Sequence, residues 1–244
     1  MENYYLFVIL AFISEIIGTV SGFGSSILFV PIASIFFDFK EVLGITAVFH
    51  VFSNLSKIAL FRKGINKDIA LKLGVPAVIF VIIGAWLTTF IPTQKMELLM
   101  NIALVGLAVY LMYNFDKVVK QTDANLYIGG TLSGLLAGLV GTGGAIRGIT
   151  LAAFQLPKDI FIATSALIDL GVDSSRAVVY LSNGYFKEHN IILIPFLIGI
   201  SILGSYVGKL ILKQTSEKVF RYLVLAIIIL TSIFQLAKYF SAGS

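Results

Sequence analysis

The chain has 244 residues, 58% of them hydrophobic and only 13% charged, with a mean hydropathy of +0.96. Soluble domains carry roughly 25% charged residues, so this composition excludes a soluble fold and indicates a polytopic membrane protein embedded in the lipid bilayer. The formal charge of +5 needs no nucleic-acid partner, because basic loops on one membrane face account for it, and the lack of cysteine removes disulfides, thiol nucleophiles and thiolate metal sites. No cofactor signature and no metal-ligand pattern stands out.

An apolar run over residues 4–37 opens the chain. It reads as a retained membrane segment, not a cleavable signal, since only Glu2 precedes it and no basic start is present. The stretch Ser21-Gly22-Phe23-Gly24-Ser25-Ser26 interrupts it. As one helix the run would reach roughly 50 Å, against a hydrocarbon core about 30 Å thick. Two complete spans need about 40 residues plus a turn. A hairpin of two short helices meeting at the glycines is therefore expected, its turn buried in protein or lining a cavity. Spans are predicted next over residues 42–61, 69–91 and 98–115, followed by a polar linker over 116–125. A second apolar run over 126–156 is broken in turn by Val140-Gly141-Thr142-Gly143-Gly144-Ala145, and spans over 160–181, 191–212 and 219–240 close the chain.

Gly22 and Gly24 precede Gly141 and Gly143 by 119 residues, and Pro76 precedes Pro195 by the same interval. Such spacing indicates duplication, a common way of building transporters. Positive-inside bias favours a hairpin for the second broken run. With a hairpin there, Arg62, Lys63, Lys67, Lys72, Lys117, Lys120, Lys158, Lys209, Lys213, Lys218 and Arg221 share one face, and Lys40, Lys95, Lys187 and Lys238 the other, 11 to 4. A single crossing would divide them 8 to 7. The expected fold is therefore an all-α polytopic membrane protein of two inverted repeats, residues 1–115 and 126–244, joined by a cytoplasmic linker. Each repeat is a glycine-tipped broken helical hairpin plus three transmembrane helices. Both termini lie outside, and the two tips meet near the midplane.

The second arm of each hairpin starts at the tip, and a helix N-terminus offers unpaired N–H groups and about half a positive charge to an anion. Gly22, Phe23, Gly24, Ser25 and Ser26 at one tip, and Gly141, Thr142, Gly143 and Gly144 at the other, are candidate substrate contacts. Gly18, Gly130 and Gly134 fit helix packing better. Ionisable residues inside spans mark sites or partners. Arg147, three residues past Gly144, either offsets the charge of an anion or pairs with Asp169 or Asp173. Asp173 and Arg176, at i, i+3, are expected to pair with each other. His50, Glu15, Asp169 and Asp173 are candidates for carrying a coupling proton. Asn54 and Ser174, at matching positions of the two halves, are candidate cavity donors, and Lys57 is expected to snorkel to the interface.

A glycine-rich stretch in each half, Gly22-Phe23-Gly24-Ser25-Ser26 followed by Pro31, and Gly138-Leu139-Val140-Gly141-Thr142-Gly143-Gly144, resembles the sulfite exporter TauE/SafE family of membrane permeases. The resemblance implies a secondary transporter, not an enzyme, moving a small anion, often a sulfur-containing one such as sulfite or a sulfonate, across the cell membrane. Two other classes use the same residues. An anion channel would use the hairpins as a filter, and an intramembrane hydrolase would use Ser25 or Ser26 as nucleophile with His50 as base.

Overall fold

The structure, a computed structural model, describes residues 2–22, 24–61, 64–113, 120–212 and 233. Phe23, Arg62, Lys63, Lys117 and, apart from residue 233, the predicted last span over 219–240 lie outside the described residues. Within them the fold is helical throughout. In chain order the helices are α1 (Glu2–Ser21), α2 (Ser26–Ala33), α3 (Phe39–Leu60), α4 (Lys67–Leu87), α5 (Thr93–Tyr113), α6 (Asp123–Val140), α7 (Gly144–Ala152), α8 (Lys158–Ser182) and α9 (Ile194–Leu212). Short 3-10 segments extend α4 (Thr88–Phe90) and lead into α9 (Glu188–Leu193).

Local chemistry explains the starts. Asp38 accepts from the Lys40 amide ahead of α3, Asn66 from the Ile69 amide ahead of α4, and Thr122 from the Asn125 amide ahead of α6. The Thr122 cap starts α6 three residues before the predicted 126. Phe39–Leu60, Lys67–Phe90 and Glu188–Leu212 are long and apolar enough to cross a membrane. At 25 residues α8 has the length as well, about 37 Å, but carries Asp169, Asp173 and Arg176. The outward face of α4 exposes Leu71, Val75, Ile79, Ile82 and Trp86, an apolar stripe suited to lipid.

Both apolar runs break where the glycines stand, but the arms are unequal: 20 and 8 residues in the first, 18 and 9 in the second. The leading arm is long because it packs along a spanning helix of the other half, α1 on α9 and α6 on α4. The trailing arm is short and buried, every residue of α2 except Ile32 lying in the interior. Phe7 of α1 packs edge-on against Phe36 and Phe37 after α2, so this unit starts and finishes at one end of the molecule. Glu41 and His189 line a pocket with Phe7 there, and Lys187 pairs with Glu41 at 3.0 Å. Gln121 donates to the Ala153 carbonyl at 2.7 Å, so α6 starts where α7 finishes. That end also holds Lys72 against Asp123 at 3.0 Å.

Glycines make the α4–α6 seam. A Cβ at Gly130, Gly134 or Gly138 would overlap the main-chain carbonyl of Leu73, Ala77 or Val81 respectively. Backbones this close gain dispersion and Cα–H···O contacts unavailable to larger residues. Gly134→Leu is expected to part the two helices and cost about 1–3 kcal/mol or more, read as a lowered unfolding temperature in detergent. An unchanged temperature would contradict the seam.

Candidate functional site

The site is built at the two breaks. Gly22 (φ 70°), Gly24 (φ 83°) and Gly141 (φ 79°) adopt the left-handed conformation that glycine reaches without strain. Each leading helix is closed by a main-chain bond, Gly22 N–H to Gly18 and Gly141 N–H to Ala137. The tips touch: Ser26 Oγ donates to Thr142 Oγ1 at 3.5 Å. The Ser25 carbonyl accepts from the Leu28 and Phe29 amides at the start of α2. Its hydroxyl does not cap the helix; it lies 2.7 Å from Glu15 Oε2 and 2.7 Å from His50 Nε2.

Glu15 and Ser25 are both fully buried. Glu15 Oε1 accepts from Ser53 (2.7 Å), Ser205 (2.7 Å) and Thr19 (3.3 Å), and Lys57 Nζ lies 2.9 Å away. Lys57 therefore does not snorkel. It is buried because a charged partner waits inside, and a buried pair with satisfied lone pairs outcompetes an interfacial position for one side chain.

Arg147 takes the protein-paired alternative. Nη1 contacts the Asp169 carboxylate and Nε donates to Ser165 at 3.1 Å. Its guanidinium also reaches the first tip, with Nη2 3.5 Å from where a Cβ on Gly24 would stand. Asp173 pairs with Arg176 at 2.7 Å and accepts from Asn54 Nδ2 at 2.7 Å. Asn54 is thus matched across the halves by Asp173, 119 residues on, and Ser174 points outward on α8, away from the cluster. The same interval relates His50 to Asp169 and Lys57 to Arg176, a signal present in the sequence that singling out individual residues did not use.

Arg176 has a further role that the sequence did not suggest. Nη1 donates to the Gly141 (2.7 Å) and Ala137 (3.1 Å) carbonyls, and Tyr180 Oη donates to Gly138 (2.5 Å). A cation and a hydroxyl thereby bind the carbonyls at the end of α6, where the helix dipole is negative, Ala137 accepting from Arg176 as well as from the Gly141 N–H.

Gly22, Gly24, Asn54, Lys57, Ser165 and Asp169 line a narrow cavity of about 10 Å³, room for about one water. The second tip's glycines do not line this cavity, and Arg147 approaches it only by facing Gly24. A Cβ at Gly141 would press on Leu43 and Val30, and one at Gly143 would overlap the Ser133 carbonyl. Those two glycines are required by packing.

The profile of the family described as sulfite exporter TauE/SafE matches residues 6–234 of this chain. The chain belongs to that family. A probable membrane transporter protein of Methanocaldococcus jannaschii is 28% identical to it over 254 aligned positions, covering 95% of this chain and 94% of the relative. No solved structure matches the chain. Membership makes this TauE/SafE protein a membrane transporter. The serine–histidine contact of the hydrolase reading does form, but it lacks the arrangement of a nucleophile relay. His50 Nδ1 is held by the Thr46 carbonyl at 2.7 Å, not by a carboxylate, and the acid sits on the serine instead.

Proposed function

We propose that this TauE/SafE protein is a secondary transporter that carries a small anion, of the sulfur oxyanion or sulfonate class, through the tip cavity, with a proton as coupling ion. One observation carries the reading: a small cavity at the first tip is lined by Gly22, Gly24, Asn54 and Lys57, and the Arg147 guanidinium faces Gly24. The first amides of a helix have no intrahelical partner and suit an anion; at about 10 Å³ the cavity is closed around one water's space, so the helices around it must part to admit the cargo. Asn54 supplies an uncharged amide beside the two cations. The family name and the relative's name support transport. In this reading the two halves are inverted repeats, the linker side is cytoplasmic and both termini are outside.

Uptake of labelled sulfite, sulfate and methanesulfonate into proteoliposomes tests the cargo. Saturable flux of at least one is expected, and Asn54→Leu, which fills the cavity, is expected to abolish it in a protein that still purifies as a folded species. Flux of none of the three removes the proposed class, and a non-saturating conductance replaces the carrier with a channel. Orientation has its own test, since the chain lacks cysteine. Lys187→Cys is expected to react with an impermeant thiol reagent from outside, and Lys120→Cys only after permeabilisation. The reverse pattern inverts the topology.

A further inference from the structure

The contacts of Ser25 contain a count of protons. Three short heavy-atom contacts run in series: His50 Nδ1 to the Thr46 carbonyl, His50 Nε2 to Ser25 Oγ, and Ser25 Oγ to Glu15 Oε2, each 2.7 Å. Three hydrogen bonds need three hydrogens. A carbonyl only accepts, so Nδ1 carries one, and the serine hydroxyl supplies a second. The third belongs either to His50 Nε2 or to Glu15 Oε2. A neutral histidine beside an ionised glutamate leaves two lone pairs facing each other across one 2.7 Å contact. The chain closes with one additional proton, as imidazolium with carboxylate or as neutral imidazole with carboxylic acid. The two forms interconvert by shifting protons through Ser25 Oγ, with no heavy atom moving.

We infer that Glu15, Ser25 and His50 form a single shared-proton site, and that one proton travels on it with each monovalent anion. Here the proposed anion transport is taken as given. The surrounding charges set the stoichiometry. Lys57 neutralises Glu15, Arg147 neutralises Asp169, and Arg176 neutralises Asp173. Arg176, Lys57 and Arg147 are the cations acting on His50, and Lys209 on α9 is engaged elsewhere, on the Leu60 carbonyl. Among these groups the ionised pairs cancel, so the extra proton leaves the cluster with one net positive charge. A single monovalent anion at the tips restores neutrality, and carrying both together moves no net charge. Phe29 and Phe49 pack against the His50 ring, with centroids 5.9 and 5.0 Å away, and keep the proton from exchanging freely with water. Ser25 also begins α2, so losing the proton breaks a contact at the first tip itself.

Methanesulfonate is a suitable probe because, unlike sulfite, it has no membrane-permeant neutral form at working pH. Exchange of labelled for unlabelled methanesulfonate at equal pH tests anion transport alone. Net uptake with a trapped pH dye then reads the coupling, and one proton is expected to enter per anion, without current. In Glu15→Gln and His50→Gln the amide N–H supplies the third hydrogen permanently. Whatever flux these variants retain is expected to lose its dependence on the pH gradient, the proton-to-anion ratio falling from one to zero. Wild-type exchange with no proton movement overturns the coupling but keeps the transporter. Gradient-driven uptake surviving in both variants overturns the shared site. If methanesulfonate is not exchanged, infrared difference spectra of the purified protein between acidic and alkaline buffer decide. Loss of one proton shared by carboxyl and imidazole is expected, a signal removed by either variant; a signal surviving in one of them refutes the sharing.

Discussion

Replacing Arg147 by Gln is expected to destabilise the protein by about 3–5 kcal/mol, because it strands a buried carboxylate. The carboxylate is that of Asp169, whose side chain is 13% exposed beside an arginine 4% exposed. Asp169→Asn in the same chain should recover most of the loss, since neither group then carries an unmatched charge. Asp173→Asn should not, because Asp173 is matched by Arg176 and Asn54. The contrast between the two aspartates makes the test specific, and unfolding temperature in detergent measures it. Rescue by Asp173→Asn, or no loss in the single variant, would overturn the pairing. Methanesulfonate affinity measured alongside separates a purely structural arginine from one that also faces the anion. The Arg147 guanidinium faces Gly24 at the first tip, so affinity is expected to fall in the rescued double variant even though stability returns.

Alanine at Gly143 and at Gly24 should fail for different reasons. At Gly143 φ is −135°, open to any residue, but the added Cβ lands on the Ser133 carbonyl. The short helix α7 cannot stay against α6 with that overlap, and loss of folded protein from the membrane is expected. At Gly24 the space is open, with Arg147 Nη2 and Ser26 Oγ at 3.5 and 3.9 Å, but φ is +83°. A left-handed alanine costs roughly 1–2 kcal/mol, so Gly24→Ala should accumulate with a lowered unfolding temperature and reduced flux. Gly24→Asn should regain part of the stability, because Asn tolerates that conformation better. Yield and unfolding temperature of the three variants, set beside flux, check this. A stable Gly143→Ala protein would show that the second tip is not packed as described.

Membrane character, the two breaks and their spacing were legible in the sequence because each rests on local chemistry. Apolar run length is fixed by bilayer thickness, glycine clusters interrupt helices wherever they lie, and both recur 119 residues apart. Side-chain partnerships were less accessible. The i, i+3 pair of Asp173 and Arg176 could be read because helix geometry sets it. The pairing of Lys57 with Glu15 could not, because the two stand on different helices and meet only when α1, α3 and α9 pack together. Lys57 at a helix end looks like an interfacial residue until its partner is brought inside. A shift of one residue likewise separated Ser174 from Asp173: on a helix that step is about 100° of rotation, enough to exchange lipid for the buried cluster. Sequence alone thus determined a helical membrane protein broken at two glycine clusters. Tertiary packing decided which buried charges cancel and which serine holds the histidine, because burying a charge is tolerated only where distant helices supply its partner.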